Sequence, residues 1–290
     1  MTTKVSAQDV KELRDKTGVG MSDCKKALEE AGGDMEAAIR VLRERGIAKA
    51  AKRSDRTASE GLVSVAISND HVRASLAQLS CETDFVARNE EFSGLIASIA
   101  KAGLKNNTQT LDQLQNVTIE DGRTVSAAVN DILTKIGEKI ELAAYNLVAG
   151  DVVSGYIHPP GKIGVLIAAS APDIADGKRA QVSEALREIA MHIAAFAPRF
   201  LDGSQVDAAT LESEREIFAA MARNEGKPEA IIPKIVDGKI KSFYKDNCLV
   251  DQAFAKDPSK SVTQVLKEIG QAAGVELKLT TFVRVQVGAS

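Results

Sequence analysis

The sequence predicts an α+β protein: a small module of three helices, then a core of two α+β subdomains with small antiparallel sheets. Three observations predict it. The first 46 residues hold three short apolar stripes at helical spacing. Two pairs of alternating apolar segments follow, each pair joined by turn residues. A longer helical stripe comes after each pair, so a strand–strand–helix order occurs twice.

In the module, residues 1–46, Val10 and Leu13 share the face of a first helix that stops at Thr17-Gly18. Ser22 is a candidate N-cap for a second helix carrying Cys24, Leu28 and Ala31 on one stripe. Gly32-Gly33 breaks it, Asp34 caps a third, and Ala38, Ile39 and Leu42 form the last stripe before Gly46. Residues 47–60, IAKAAKRSDRTASE, are small, polar and basic without a period, and read as a linker. Lys49, Lys52, Arg53 and Arg56 are its basic residues, but Asp55 and Glu60 interrupt them and no aromatic interleaves.

The first core subdomain, residues 61–147, opens with two strands, 61–70 and 71–82, turning at Asn69-Asp70. A helix begins near Asn89, a candidate N-cap, with Phe92, Leu95, Ile96 and Ile99 on one face. The stretch from Val125 passes from helix into strand. Residues 148–290 form the second subdomain, with strands at 151–158 and 162–171 around Pro159-Pro160-Gly161. A helix over 180–196 carries Val182, Leu186, Ile189, Ile193 and Phe196. Further helices run over 207–224 and from Pro228, with Ile232, Ile235, Val236 and Phe243 on the latter. They form either a projecting hairpin, placed at about 197–228, or two helices packed on the core. A short helix at 262–269 and a strand at 277–287 close the chain.

With 44% hydrophobic and 27% charged residues, a folded soluble protein is the default. The net charge of −3 and the 4% aromatic content oppose a general phosphate-binding or base-stacking surface. Three scattered cysteines, Cys24, Cys81 and Cys248, fit a reducing cytosol better than a disulfide framework or a zinc site. The amino terminus lacks the apolar run of a signal peptide, and no apolar segment is long enough to span a bilayer. A phosphate-binding Gly-rich loop, a nucleophile elbow and a metal-binding helix are all missing, and Gly18-Val19-Gly20 lacks both the preceding strand and the third glycine of a dinucleotide site. His71 reads as a turn residue, His192 as a hydrogen-bonded core-edge group and His158 as a surface residue. No catalytic residue, cofactor or metal site is expected.

One segment stands out. In CETDFVARNEEF, Phe85 follows Asp84 between a strand end and a helix start. An aromatic there is ordinarily core; the alternative is an exposed wedge for a partner, and composition does not choose between them.

The stretch VKELRDKTGVGMSDCKKALEEAGGDMEAAIRVLRERG resembles the amino-terminal region of the elongation factor Ts family, and QLSCETDFVARNEEF resembles its second signature. KIGE at 135–138, GYIHPPGKIGVLI and AMHIAA at 190–195 match in order, so the resemblance spans nearly the whole chain. It implies a ubiquitin-associated-like bundle at the amino end and a protruding helical hairpin in the second subdomain. It also implies a non-enzymatic guanine-nucleotide exchange factor in the cytoplasm, which binds elongation factor Tu, GDP-bound and nucleotide-free. In that family the Thr-Asp-Phe-Val segment dislocates the partner's magnesium, which here would be Thr83, Asp84, Phe85 and Val86. Arg14, Met21, Ile136, Gly137 and His158 would contact the partner. Gln78 and Ser80 depart from the family's usual residues, and the chain stops at FVRVQVGAS where some relatives continue into a further helix, so no contact from such a helix is expected. A homodimer through the hairpin stays open. No membrane or direct nucleic-acid contact is expected. The rival readings are an RNA- or ribosome-binding module using the basic linker, and a small-molecule enzyme working through His158 and nearby carboxylates.

Overall fold

The computed structural model describes residues 5–17, 19–51 and 56–289, with 47–51 described by their helical backbone alone. Helices α1 (Ala7–Thr17), α2 (Met21–Glu30) and α3 (Met35–Ala51) make the amino-terminal module. They enclose Val10, Leu13, Cys24, Leu28, Ala38 and Leu42. Asp34 does cap α3, its Oδ1 accepting the Ala37 N–H at 2.7 Å. Ser22 does not cap α2: Gly20 holds that position, and Ser22 lies inside the first turn. Nor does α3 stop before Gly46. It continues to Ala51, through the first third of the stretch expected to be linker. The cause is tertiary. A side chain at 46 would collide with Thr134, so the glycine lets α3 lie directly on a helix of the core, and that packing outweighs its poor helix propensity.

Strands β1 (Glu60–Ile67), β2 (Arg73–Cys81) and β3 (Ile140–Ala149) form an antiparallel sheet in the order β1-β2-β3. The β1–β2 turn closes with Ser68 bonded to Arg73 and with His71 in the left-handed region, at φ 57°. Between β2 and β3 run α4 (Asp84–Ala87), α5 (Glu90–Lys105), α6 (Leu111–Gln115) and α7 (Val125–Ile136). β2 alternates cleanly. Ala77, Leu79 and Cys81 face Phe92, Ile96, Ile99 and Ile132 in one core. Ala74 and Leu76 face the other way, onto a second sheet.

That second sheet has the order β4-β5-β8, built from β4 (Val152–His158), β5 (Ile163–Ser170) and, at the chain end, β8 (Lys278–Gln286). Val153, Leu166 and Ala168 meet Ala74, Leu76 and Val148, so the sheets pack back to back. Close approach is possible because Gly155 and Gly164 have no side chain. A Cβ at Gly164 would sit 2.8 Å from Leu76, and one at Gly155 would sit 2.7 Å from Val65. On the outer face, α8 (Asp176–Phe196) lays Val182, Leu186, Ile189 and Ile193 over Val165 and Ile167.

Helices α9 (Ala208–Asn224) and α10 (Ile232–Asn247) form the hairpin. Its apolar residues, Leu211, Phe218, Ala222, Ile232, Val236 and Ile240, pack mainly on one another, and Arg215 bridges the arms to Asp237 at 3.0 Å. This answers the question of projection or packing: the hairpin carries its own thin core and protrudes. Its second arm extends to Asn247, so the expected range of about 197–228 covers little more than the first arm. A two-stranded ribbon, β6 (Ala253–Phe254) and β7 (Asp257–Ser261), precedes α11 (Val262–Ala273). A Ser261–Gln264 capping box starts α11, and left-handed Gly274 ends it. Among the described residues, no helix is long and apolar enough to cross a membrane.

One polar group in the first core has no partner. The Tyr145 hydroxyl is buried without a hydrogen bond, and burial pushes its pKa up to about 12. Tyr145→Phe is therefore expected to be neutral or to stabilise the protein by up to about 1 kcal/mol in urea denaturation, since it removes an unpaid desolvation penalty.

Candidate functional site

Phe85 is 81% exposed, the most exposed of the large apolar side chains among the described residues. It sits in α4, a helix of only four residues. Thr83 supplies the N-cap: its Oγ1 accepts the Val86 N–H at 3.5 Å. Val86 and Ala87 turn inward to the core of Phe92 and Ile96, and this fixes Phe85 on the opposite side, toward solvent. Asp84, in the first turn, pairs with Arg88 at 2.8 Å. The Cys81 thiol donates to Thr83 O at 3.2 Å; burial first, then Glu138 and Glu60, push its pKa up to about 12, so it stays protonated.

The α7–β3 turn lies beside this segment. Gly137 ends α7 in the left-handed conformation, φ 85°, its N–H reaching Leu133 O at 2.9 Å. Glu138 then reaches across to Thr83, accepting its N–H at 3.0 Å and its hydroxyl at 2.8 Å. Thr83–Val86 and Ile136–Gly137 are thus brought together. Val19, Gly20 and Asp23 of the module share with Leu133–Gly137 a cleft of about 180 Å³. Met21, 43% exposed, follows Gly20 in the chain, while Arg14 lies exposed on α1.

His158 stands apart, exposed at the β4–β5 turn. Its Nδ1 lies 3.0 Å from the Tyr156 hydroxyl, and Arg187 covers the Tyr156 ring at 5.5 Å. That turn is tied to the start of β1, where the Val63 N–H donates to Gly161 O at 2.8 Å and Lys162 pairs with Glu60 at 2.5 Å. Among the described residues, no hydrogen bond links His158 to α4.

Sequence reasoning missed the roles of Glu82 and Glu138 in holding these turns. The available signal was a carboxylate directly after a helix-ending glycine, but its target lies 55 residues away. Of the basic stretch, Lys52, Arg53 and the Lys49 side chain lie outside the described residues; Arg56 bonds Glu82 at 3.2 Å.

His192 is fully buried. Its Nε2 lies 2.9 Å from Gln252 Oε1 and its Nδ1 accepts the Ala255 N–H at 3.1 Å, which requires the neutral ring. Burial lowers its pKa, with the Gln252 bond opposing. A lowered pKa means that the folded state binds fewer protons, so this contribution is whole above about 6.5 and is lost as pH falls through the folded pKa. Thermal midpoints measured from pH 7.5 to 5.5 are expected to fall, with a shallower fall in His192→Asn.

The described residues contain no group of three His, Cys, Asp or Glu side chains able to hold a metal. What the segment presents is an exposed apolar ring flanked in the chain by the Asp84–Arg88 ion pair.

Comparison with known proteins identifies the family. The family model described as Elongation factor TS matches residues 82–289. Elongation factor Ts of a Nitratiruptor species is 44% identical over 287 residues, 98% of this chain and 93% of that protein. Its counterpart in Prosthecochloris aestuarii is 41% identical over 292 residues, 99% of this chain and 100% of that protein. In Clostridium perfringens the figure is 42% over 286 residues, 98% and 93%. Likeness of this depth along almost the full length of both partners places the chain in the elongation factor Ts family.

Proposed function

We propose that this chain is a guanine-nucleotide exchange factor that binds elongation factor Tu and drives release of its GDP. The observation that carries the reading is the exposed Phe85 ring on a capped, core-anchored turn. A side chain that large gains about 1.5–3 kcal/mol when it leaves water. Left bare on a rigid support, it is available to do work on whatever receives it.

In this reading Phe85 inserts beside the partner's magnesium site, with Thr83, Asp84 and Val86 forming the base of the wedge. Magnesium tolerates little departure from octahedral geometry, so a small shift of the groups around it loosens its hold. Once the metal is displaced, the GDP β-phosphate loses its main counter-charge and the nucleotide leaves. Ile136, Gly137, Met21 and Arg14 extend the docking face, and His158 makes a separate contact at the second sheet. No bond is made or broken, so the chain acts as a binding protein and not as an enzyme. The coupling is reciprocal: GDP weakens the factor's grip by the factor by which the chain weakens GDP's.

The test is stopped-flow release of fluorescent GDP from elongation factor Tu. Substoichiometric amounts of the chain are expected to accelerate release and to turn over many times. An unchanged release rate at saturating chain would overturn the reading.

A further inference from the structure

The turn that carries Phe85 is held from the side by a carboxylate that belongs to another turn. Glu138 Oε2 accepts the Thr83 N–H at 3.0 Å, and its Oε1 accepts the Thr83 hydroxyl at 2.8 Å. That same hydroxyl oxygen accepts the Val86 N–H at the start of α4. One residue along on each side the exchange runs in reverse: Glu82 Oε1 accepts the Lys139 N–H at 2.6 Å. Each turn thus lends the other a glutamate. Lys139 also ties the α7–β3 turn to the segment before β1, its Nζ donating to Arg56 O at 3.0 Å.

A four-residue helix cannot define its own direction, because forming one isolated turn is unfavourable. The direction of α4 comes from its two boundaries. On the inner side Val86 and Ala87 are anchored in the core. At the amino end the side chain that caps α4 is Thr83, and Glu138 holds Thr83 by two charge-assisted bonds. Loosening that end leaves Val86 buried but lets the residues before it, Phe85 included, rotate about the anchor.

We propose that Glu138 is a positioning residue for exchange: by fixing Thr83 it sets the register of α4 and hence the direction in which Phe85 leaves the fold. This rests on the exchange reading above, with Phe85 as the element that meets the partner. Glu138 itself acts through Thr83.

The test is a double-mutant cycle on the full chain, read by fluorescent-GDP release, together with hydrogen exchange at the Thr83 and Val86 amides. Glu138→Ala is expected to lower the second-order exchange constant about tenfold, and to speed hydrogen exchange at both amides. In the Phe85→Ala background the same substitution is expected to cost less than about twofold, because a positioning effect vanishes with the group it positions. Glu138→Gln, which keeps an acceptor for the Thr83 N–H, is expected to recover most of the rate and to supply the folded variant should the alanine unfold. A full tenfold cost in the Phe85→Ala background would overturn the proposal, since Glu138 would then act on the partner directly or on the whole fold. So would a wild-type rate with unprotected amides. A wild-type rate for Phe85→Ala alone would instead overturn the wedge reading, while the amide protection would still report whether Glu138 holds the turn.

Discussion

Phe85→Ala is expected to slow GDP release from elongation factor Tu about ten- to a hundredfold while leaving the thermal midpoint of the free chain unchanged. The size follows from burial. If the ring transfers about 1.5–3 kcal/mol into the partner's site, and 1.4 kcal/mol is a factor of ten, one side chain supplies one to two decades. The missing effect on stability follows from exposure: at 81% exposed, the ring gives the free fold almost nothing to lose. Stopped-flow release and a thermal melt of the same preparation check both halves. A variant that exchanges at the wild-type rate would show that the ring is a bystander. A variant that melts well below wild type would show that it belongs to the core.

Phe92→Ala should do the reverse. Phe92 lies seven positions on and is fully buried, packed with Leu79, Ile96, Ile99 and Ile132 where α5 crosses the first sheet. Truncating a buried phenylalanine costs about 3–5 kcal/mol, from lost transfer energy and the void left behind. Urea denaturation should show that loss. The variant that remains folded should keep more of the exchange rate at low temperature than Phe85→Ala does, because Phe92 supports α4 only through the core it shares with Val86, while Glu138 still holds Thr83 at the amino end. The two substitutions together separate what the fold needs from what the partner needs.

Long, strongly periodic segments were legible in the sequence. Both strand pairs, α5 and α8 declared themselves through spacing alone, since their apolar faces are also their buried faces, except for Phe196 at the end of the α8 stripe, which is exposed. Elements whose stability is borrowed were not. α6 and the β6–β7 ribbon are too short to show a period, and the run of α3 past Gly46 depends on Thr134, nearly ninety positions away in the chain. At the site, the signature around Phe85 was legible as a resemblance, yet the outward direction of the ring was not. That direction is a property of Val86 in the core and of Glu138 on the opposite turn, and no local pattern encodes it. His192 was legible only in part. Its place on an apolar helix marked it as hydrogen-bonded, but both partners, Gln252 and the Ala255 N–H, come from a segment sixty residues later.

The seam between the two sheets has a mechanical meaning. With Gly155 and Gly164 letting backbone meet the Val65 and Leu76 side chains directly, the apolar layer between the halves is thin, and close-packed interiors resist compression. The first core behind α4 and the second core under α8 are therefore backed by one stiff double sheet. Under the proposed reading, that stiffness backs the turn that meets the partner.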